Sequence, residues 1–538
     1  MVVEAAAGEQ DARQLIPRQA GAQAEAQPTT VPQAQPRARR RWLWPALEIL
    51  TAVGTAVLFP VLCRTISVDP LDRIGQVSGL AAVQFRFAVV AGILVIGLVL
   101  AHRLLPAERQ ALAVRLGCAA VAGLSTGLVA GGIVVALRDT PWSMWVGDGD
   151  YRFVLASARE MAHGHLAYPW YPPLISVIVG GWAKISGQPL AYALKDVQIV
   201  GTALFGPAAY LAWRLVLRPV WALGIGVLAM LPLIEPVKPY PQLTLVIMIP
   251  VLVAFVREVR HAGALTNRAA IGLGVAFGTG LGLLFLLYSG WFVWASGGIV
   301  AALALVTPWR TAWRQALLLG GVTAAAFLAV SWVHLRGLLN PAGAVKDDFF
   351  YFDTFTEPAY IAMWRNDRPA DVGPVWPPLG ELGGVGLFAI LLAIGLGVAL
   401  WYGWRRTAVI TVACCAASAW FLRMWLASGM YQLHLVRLYP RTTMILLYCL
   451  LLLAGLGVMY AVDGIRTRPA RTVPFGLMLV PLLFLLASAG SATANHYMPD
   501  ERQKDAGYFT WIAQMTREYD GSCPHYGQLH GCVPAERR

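Results

Sequence analysis

Charge is what this sequence has least of. Of its 538 residues 13% are Asp, Glu, Lys or Arg, against 57% that are apolar. A soluble domain carries about 25% charged residues, so this chain cannot build a water-facing skin of its own size. Enlarging the core does not help, because a larger body still needs a polar surface. Disorder over most of the length is excluded as well, since disordered chains are poor in apolar residues. Cysteine is scarce: seven in the whole chain exclude a disulfide scaffold. No Cys-x-x-Cys pair occurs, which argues against zinc. Cys118, Cys414, Cys415 and Cys449 lie inside apolar runs and read as small packing residues. Cys523 and Cys532 lie in a polar tail, in GSCPHYGQLHGC, where a short-loop disulfide needs an oxidising compartment.

What is present is a series of long apolar runs. Crossing a bilayer takes about 20 apolar residues. Runs of that kind fall near 43–63, 83–104, 116–137, 190–214, 218–234, 241–257 and 269–288, then near 291–308, 314–335, 384–403, 406–428, 442–462 and 473–491. The expectation is an all-α polytopic membrane protein with about 13 transmembrane helices. Residues 1–41, rich in Ala, Gln and Pro and ending in Pro36–Arg41, read as a disordered cytoplasmic tail. Residues 42–491 form the transmembrane domain, and 492–538 a short extracytoplasmic tail.

The net charge of +13 does not point to nucleic acid, because the basic residues gather in short loops. Arg103, Arg109 and Arg115, then Arg257 and Arg260, Arg405 and Arg406, and Arg466, Arg468 and Arg471 fall on one side. Cytoplasmic loops hold the Lys and Arg excess, so the N-terminus is expected inside and the C-terminus outside, in the plasma membrane. Residues 171–187 fit poorly: they are apolar but short, and a full span there would invert every later loop. Re-entry from outside, or a partial span, is the expectation. The outer side then carries 138–170, 336–383 and 492–538.

The first outer loop holds Asp148 and Asp150, two apart among glycines, after Trp142 and Trp145. Residues 151–163 suit a short amphipathic helix with Tyr151, Val154, Leu155 and Ala158 on one face. One reading is a solvated loop in which Asp148 caps that helix. The other is a general base at the membrane boundary, since a sugar hydroxyl must lose its proton as it attacks. Cations for a departing phosphate have two sources. Tyr431–Arg441 places His434, Arg437 and Arg441 at helical spacing, either as a phosphate-binding stripe or as headgroup-facing residues. The turn Glu235–Gln242 offers Lys238 to the phosphate, with Glu235 pairing with it or orienting the sugar; a Pro-braced hairpin with its own ion pair is the alternative. Within 336–383, Asp347, Asp348 and Tyr351 suit carbohydrate, as carboxylates take hydroxyl bonds and rings stack on sugar faces. Trp364 and Trp376 join them if the loop lids an acceptor groove, and a solvated loop stays open as the alternative. No metal or other cofactor is expected, a divalent cation at Asp347 and Asp348 being the less favoured reading. Lys195, Asp196 and Gln198 open the fourth span, either in the interface or with a functional role.

Gly147–Arg152, followed by Trp170–Pro173 and Gly180–Trp182, and then by Ala191–Lys195, is similar to the galactan 5-O-arabinofuranosyltransferase family of mycobacteria and related actinobacteria. More broadly, the long apolar chain, the loop acid, the short helix and the Tyr-Pro-Pro motif resemble the GT-C membrane glycosyltransferases. The likeness covers roughly residues 140–200, and the rest by topology. It implies a GT-C bundle and an inverting transfer of arabinofuranose from a decaprenyl-phosphate donor to a galactan hydroxyl. Carried onto this chain, the family's loop acid is Asp148, with Asp150 second, and Tyr171 belongs to the substrate site. The partners implied are the lipid-linked donor, the polysaccharide and membrane lipids, with no nucleic acid. Transfer of another sugar, such as mannose, from a polyprenyl phosphate stays open, and so does a lipid-linked sugar flippase.

Overall fold

The computed structural model describes residues 40–146, 149–161, 163–164, 168–339, 386–434, 441–465, 474–502 and 506–535. These are helical throughout, with no strand among them. The first helices are α1 (Arg40–Cys63), α2 (Arg73–Leu104), α3 (Ala107–Leu124), α4 (Gly127–Ala136), α5 (Asp150–Met161), α6 (Pro173–Ser186), α7 (Leu190–Ala203) and α8 (Phe205–Trp213). Next come α9 (Pro219–Leu233), α10 (Pro239–Arg260), α11 (Asn267–Leu287), α12 (Gly290–Val306) and α13 (Trp313–Leu339). The chain continues with α14 (Gly386–Gly403), α15 (Thr407–Leu433), α16 (Thr442–Ile465), α17 (Phe475–His496), α18 (Gly507–Met515) and α19 (His525–Leu529).

Among the described residues, nine helices are long and apolar enough to cross a membrane: α1, α2, the joined α3–α4, α10, α11, α13, α15, α16 and α17. This is a polytopic all-α membrane protein. Its outer surface agrees, since Phe85 on α2 is 71% exposed and Phe484 on α17 is 74% exposed. Side chains of that kind at mid-helix belong against lipid tails rather than water. The expected runs at 218–234, 291–308 and 384–403 hold the shorter apolar helices α9, α12 and α14. The run at 190–214 is divided, because α7 ends at Ala203 and α8 restarts at Phe205.

The segment that fitted poorly is α6. Pro173 opens it, where a missing N–H costs nothing, and Gly187 closes it at φ 70. Its 14 residues span about 21 Å at 1.5 Å per residue, short of a bilayer core of about 30 Å. Polar ends and small residues set the packing. Gly274, Gly278 and Gly282 recur every fourth residue on α11, and α13 lies so close that a Cβ at Gly278 would meet the Thr323 carbonyl at 2.4 Å. Lipid cannot drive helices together by hydrophobicity, so close backbone approach supplies the packing instead. Glu48 on α1 is 2% exposed. It accepts from Arg214 Nε at 2.7 Å and also pairs with Arg115 and Tyr210, which satisfies a charge that would be costly alone.

The breaks in α3–α4 and α7–α8 meet. Thr126 Oγ1 donates to the Ala203 carbonyl at 2.9 Å, so a carbonyl freed by one break is satisfied by the other. Residues 506–535, with α18 and α19, pack over the start of the loop that follows α4. Gln514 Nε2 donates to the carbonyls of Ala136 and Arg138 at 3.0 and 2.9 Å. Thr140 Oγ1 donates to the Ala513 carbonyl at 2.6 Å, and Trp142 Nε1 to that of Thr516 at 3.1 Å. Cys523 and Cys532 are joined in a disulfide within this tail.

Candidate functional site

A glycine-rich turn before α5, a proline-rich turn before α10 and one amide build the site. Trp145, at φ 69, turns the chain sharply and its ring lies 5.7 Å from that of Phe509 in α18. Gly149 follows at φ 60, and a Cβ there would meet the Trp145 indole at 2.5 Å, so only glycine fits. Asp150 then starts α5, where a carboxylate suits the positive end of the helix. The face of α5 expected to be buried is largely the one that is: Tyr151, Val154 and Ala158 are buried, with Ser157 beside them, while Leu155 is only partly covered.

Asp150 forms an ion pair with Lys238, the residue just before α10. Lys238 also lies over the Tyr240 ring, 5.6 Å from its centroid. Gln198 on α7 holds the two turns together: its Oε1 accepts from Met144 N at 3.0 Å, and its Nε2 donates to the Val237 carbonyl at 2.8 Å. Tyr171, from the Tyr-Pro-Pro motif, is buried and shares a hydrogen bond between hydroxyls with Tyr240. Arg441 stands over the Tyr288 ring at 5.4 Å, and its charge acts on Glu235, Lys238 and Tyr171.

The electrostatics follow from burial. Glu235 is hydrogen-bonded by Gln242, and desolvation pushes its carboxyl up to about 7 despite the opposing pull of Arg441. Burial and the neighbouring Arg441 both push the Lys238 ammonium well down, while the Asp150 carboxylate in contact with it works the other way. Burial also raises the Tyr171 phenol to about 12, so it stays a neutral donor near neutral pH.

A small cavity of about 30 Å³ lies between Trp145, Asp150, Gln198, Lys238 and Tyr240, enough for one water. Beside it runs an apolar groove of about 290 Å³, walled by Ile178, Trp182, Val200, Leu204, Leu243 and Leu287 from α6, α7, α10 and α11. Pro239 and Tyr240 line both spaces, so the groove ends against the ionic cluster. Lys238 and Asp150 in the small cavity, with Arg441 and Glu235 acting electrostatically nearby, put ionic groups beside an apolar slot, an arrangement that can hold an anionic headgroup whose tail lies in lipid.

The described residues bear on three of the readings. His434 and Arg441 do not share one helix: α15 ends at Leu433, and His434 closes it in the left-handed region at φ 52. His434 is exposed and stacks on Tyr431 at 6.4 Å, whereas Arg441, just before α16, is the one that reaches the Lys238 cluster. Lys238 takes its ion pair from Asp150 of the first loop, and Glu235 is bonded by Gln242 instead, so the 235–242 hairpin is not self-contained. Lys195 and Gln198, left open between an interfacial and a functional place, both bond backbone groups of the loops. Lys195 Nζ donates to the Leu137 carbonyl at 2.9 Å and also to Thr140, which anchors the start of the loop. Asp196 accepts from Trp182 Nε1 at 3.0 Å, on the wall of the groove. Asp148, Arg437, Asp347, Asp348 and Tyr351 lie outside the described residues, as do Trp364 and Trp376. Among the described residues no group of three or more His, Cys, Asp or Glu could hold a metal ion. Tyr240 and Tyr288 were not legible as site residues, since a tyrosine in an apolar run carries no spacing signal. No protein-family model matches the chain, and no curated protein matches it either.

Proposed function

We propose that this chain is an integral-membrane glycosyltransferase of GT-C type that takes its sugar from a polyprenyl-phosphate donor. The observation that carries the reading is the apolar groove that ends at Pro239 and Tyr240, beyond which lies the small cavity lined by Lys238 and Asp150. A polyprenyl chain entering sideways from the bilayer along Val200 and Leu243 would bring its phosphate to Lys238 and Arg441. In the inverting displacement, the acceptor oxygen attacks the anomeric carbon as the bond to the phosphate oxygen breaks, and the electron pair leaves on the phosphate. Preorganised cations stabilise that developing charge in a site of low dielectric. The acceptor proton goes to Asp148, the base the family likeness implies, two residues before Asp150. Asp150 fixes Lys238 in place through their ion pair rather than acting as base. The likeness narrows the donor to decaprenyl-phosphoryl arabinofuranose and the acceptor to a galactan hydroxyl. Thirteen spans, the nine long helices with α9, α12, α14 and the divided α7–α8, with the N-terminus inside and the disulfide-bonded tail in an oxidising outer compartment, complete the proposal.

Two observations favour other assignments. Glu235, raised to about 7, is tuned as a general base near neutral pH. The meeting of two broken helices at Thr126 and Ala203 is a transporter feature. That break is fully packed, however, with Thr126 at 0% and Ala203 at 1% exposure, and leaves no room for a substrate.

The test is transfer by purified protein in nanodiscs, reading release of polyprenyl phosphate from lipid-linked sugars. Asp148→Asn is expected to lower turnover by about 10²–10⁴-fold, and Val200→Trp to raise the donor KM by blocking the groove. Full turnover in Asp148→Asn with loss in Glu235→Gln would move the base to Glu235. Translocation of the lipid-linked sugar without transfer would replace the enzyme reading.

A further inference from the structure

The other end of α10 carries a second charged site of different composition. The helix has 22 residues, about 33 Å at 1.5 Å per residue, so Lys238 and Arg260 lie about one bilayer apart. Around Arg260 a cavity of about 390 Å³ is lined by Arg257, His261, Arg405 and Arg406 as well. The four arginines come from two separate parts of the chain, the end of α10 and the turn between α14 and α15. The carboxylates at this place are Glu258, which holds Arg257 at 2.8 Å, and Asp463, which faces Tyr460. Positive charge therefore exceeds negative.

Arg260, Arg405 and Arg406 are exposed and Arg257 half-buried, yet each guanidinium has a fixed neighbour. Arg257 Nη1 donates to the Leu215 carbonyl at 2.9 Å, and Arg260 Nη1 to the Arg405 carbonyl at 2.6 Å and Thr407 Oγ1 at 3.3 Å. Arg405 lies over Trp404 at 4.6 Å, and Arg406 over Tyr460 at 5.5 Å. Arg406 also stands at the N-cap of α15, whose first N–H groups receive no side-chain cap. Helix N-terminus and arginines thus point one kind of field into one space. The remaining wall is apolar: Val216, Leu217 and Val253. A soluble anion would leave that wall wet, while a lipid covers it with its glycerol and first methylenes.

We infer that this cavity binds the headgroup phosphate of an anionic phospholipid in the leaflet opposite the proposed transfer site. Arginine gives bidentate phosphate geometry, and pockets of this kind between spans, at the basic side, suit anionic headgroups. The inference does not depend on the transferase reading.

The experiment uses the full chain in nanodiscs of phosphatidylcholine, with and without phosphatidylglycerol, followed by native mass spectrometry of retained lipid and by thermal unfolding. The wild type is expected to retain phosphatidylglycerol and to melt higher in its presence. Arg405→Gln with Arg406→Gln should weaken retention about 25-fold, at about fivefold for each arginine. Arg310→Gln with Arg314→Gln, basic residues placed on the same side by chain order, should leave retention unchanged. Equal loss in that control pair would reduce the site to diffuse surface charge and overturn the inference. So would stabilisation by inorganic phosphate equal to that by the lipid, or no lipid preference in the wild type. If the double Gln variant does not fold, Arg406→Lys serves instead: it keeps the charge, removes the fork, and should still weaken retention several-fold, while unchanged retention would overturn the inference.

Discussion

Asp150, at the start of α5, and Lys238, just before α10, form an ion pair that ties the loop before α5 to the loop before α10. Neither residue has its partner nearby in sequence, and both stand at helix starts whose backbone is fixed by Gly149 on one side and Pro239 on the other. The pair is partly covered, with Lys238 at 11% and Asp150 at 27% exposure.

Breaking that pair from one side should cost more than removing it whole. Lys238→Met leaves a half-covered carboxylate without its cation, and is expected to destabilise by about 1–3 kcal/mol. Lys238→Met with Asp150→Asn should recover part of that loss. A double-mutant cycle by chemical unfolding in detergent measures the coupling, and strict additivity of the two variants would mean that the contact contributes nothing.

Gln198 makes three hydrogen bonds, to Met144 N and O and to the Val237 carbonyl. Gln198→Ala strands all three backbone groups, and a loss of about 2–3 kcal/mol is expected. Faster hydrogen exchange should appear at both Met144 and the 235–238 turn. Exchange confined to one of them would show that the amide does not couple the two loops.

Glu235 sets a pH dependence of stability. Its carboxyl is raised by burial to about 7 from an ordinary value of 4.5, so the folded chain holds the proton that the unfolded chain has released. That contribution is whole below about 4.5 and is lost as pH climbs through about 7. Melting temperature should therefore fall between pH 5 and pH 8, and Glu235→Gln should flatten the fall. A Gln variant with the same slope as the parent would remove Glu235 as its source.

Cys523→Ser with Cys532→Ser opens a loop of sequence separation 9, for which chain entropy gives about 2–3 kcal/mol. The loss should stay local. Gln514, Thr140 and Trp142 hold the tail to the loop by contacts that do not involve the disulfide. Limited proteolysis should cut the double variant near 517–535 first, with the spans intact; unfolding of the whole bundle at the same denaturant concentration would contradict this.

Membrane character was legible because it is a bulk property: 13% charge over 538 residues admits no other surface. Helix positions followed from the apolar runs, and α5 from its periodicity. The break at Leu204 was not legible, because an apolar run does not record where its helix stops. Lys238 was picked out as a cation, with Glu235 weighed as its ion-pair partner or as a group orienting the sugar, and Asp150 was not weighed as its partner. Local spacing favours a neighbour, whereas the actual pairing with Asp150 depends on how α5 and α10 meet. The stripe through His434 and Arg441 failed for a related reason: three basic residues at helical spacing say nothing about a left-handed residue ending the helix at the first of them.

The tail bears on how the molecule is made. Residues 506–535 leave the ribosome after every span has been delivered, yet Gln514 and Ala513 bond the residues at 136–140 that lead into the loop of Asp150. A nascent chain halted just after α17 would thus have made the nine long apolar helices found among the described residues, with the 136–140 segment still lacking these contacts. The loop of Asp150 is braced by residues synthesised long after it, so that bracing is a late event in the making of the chain.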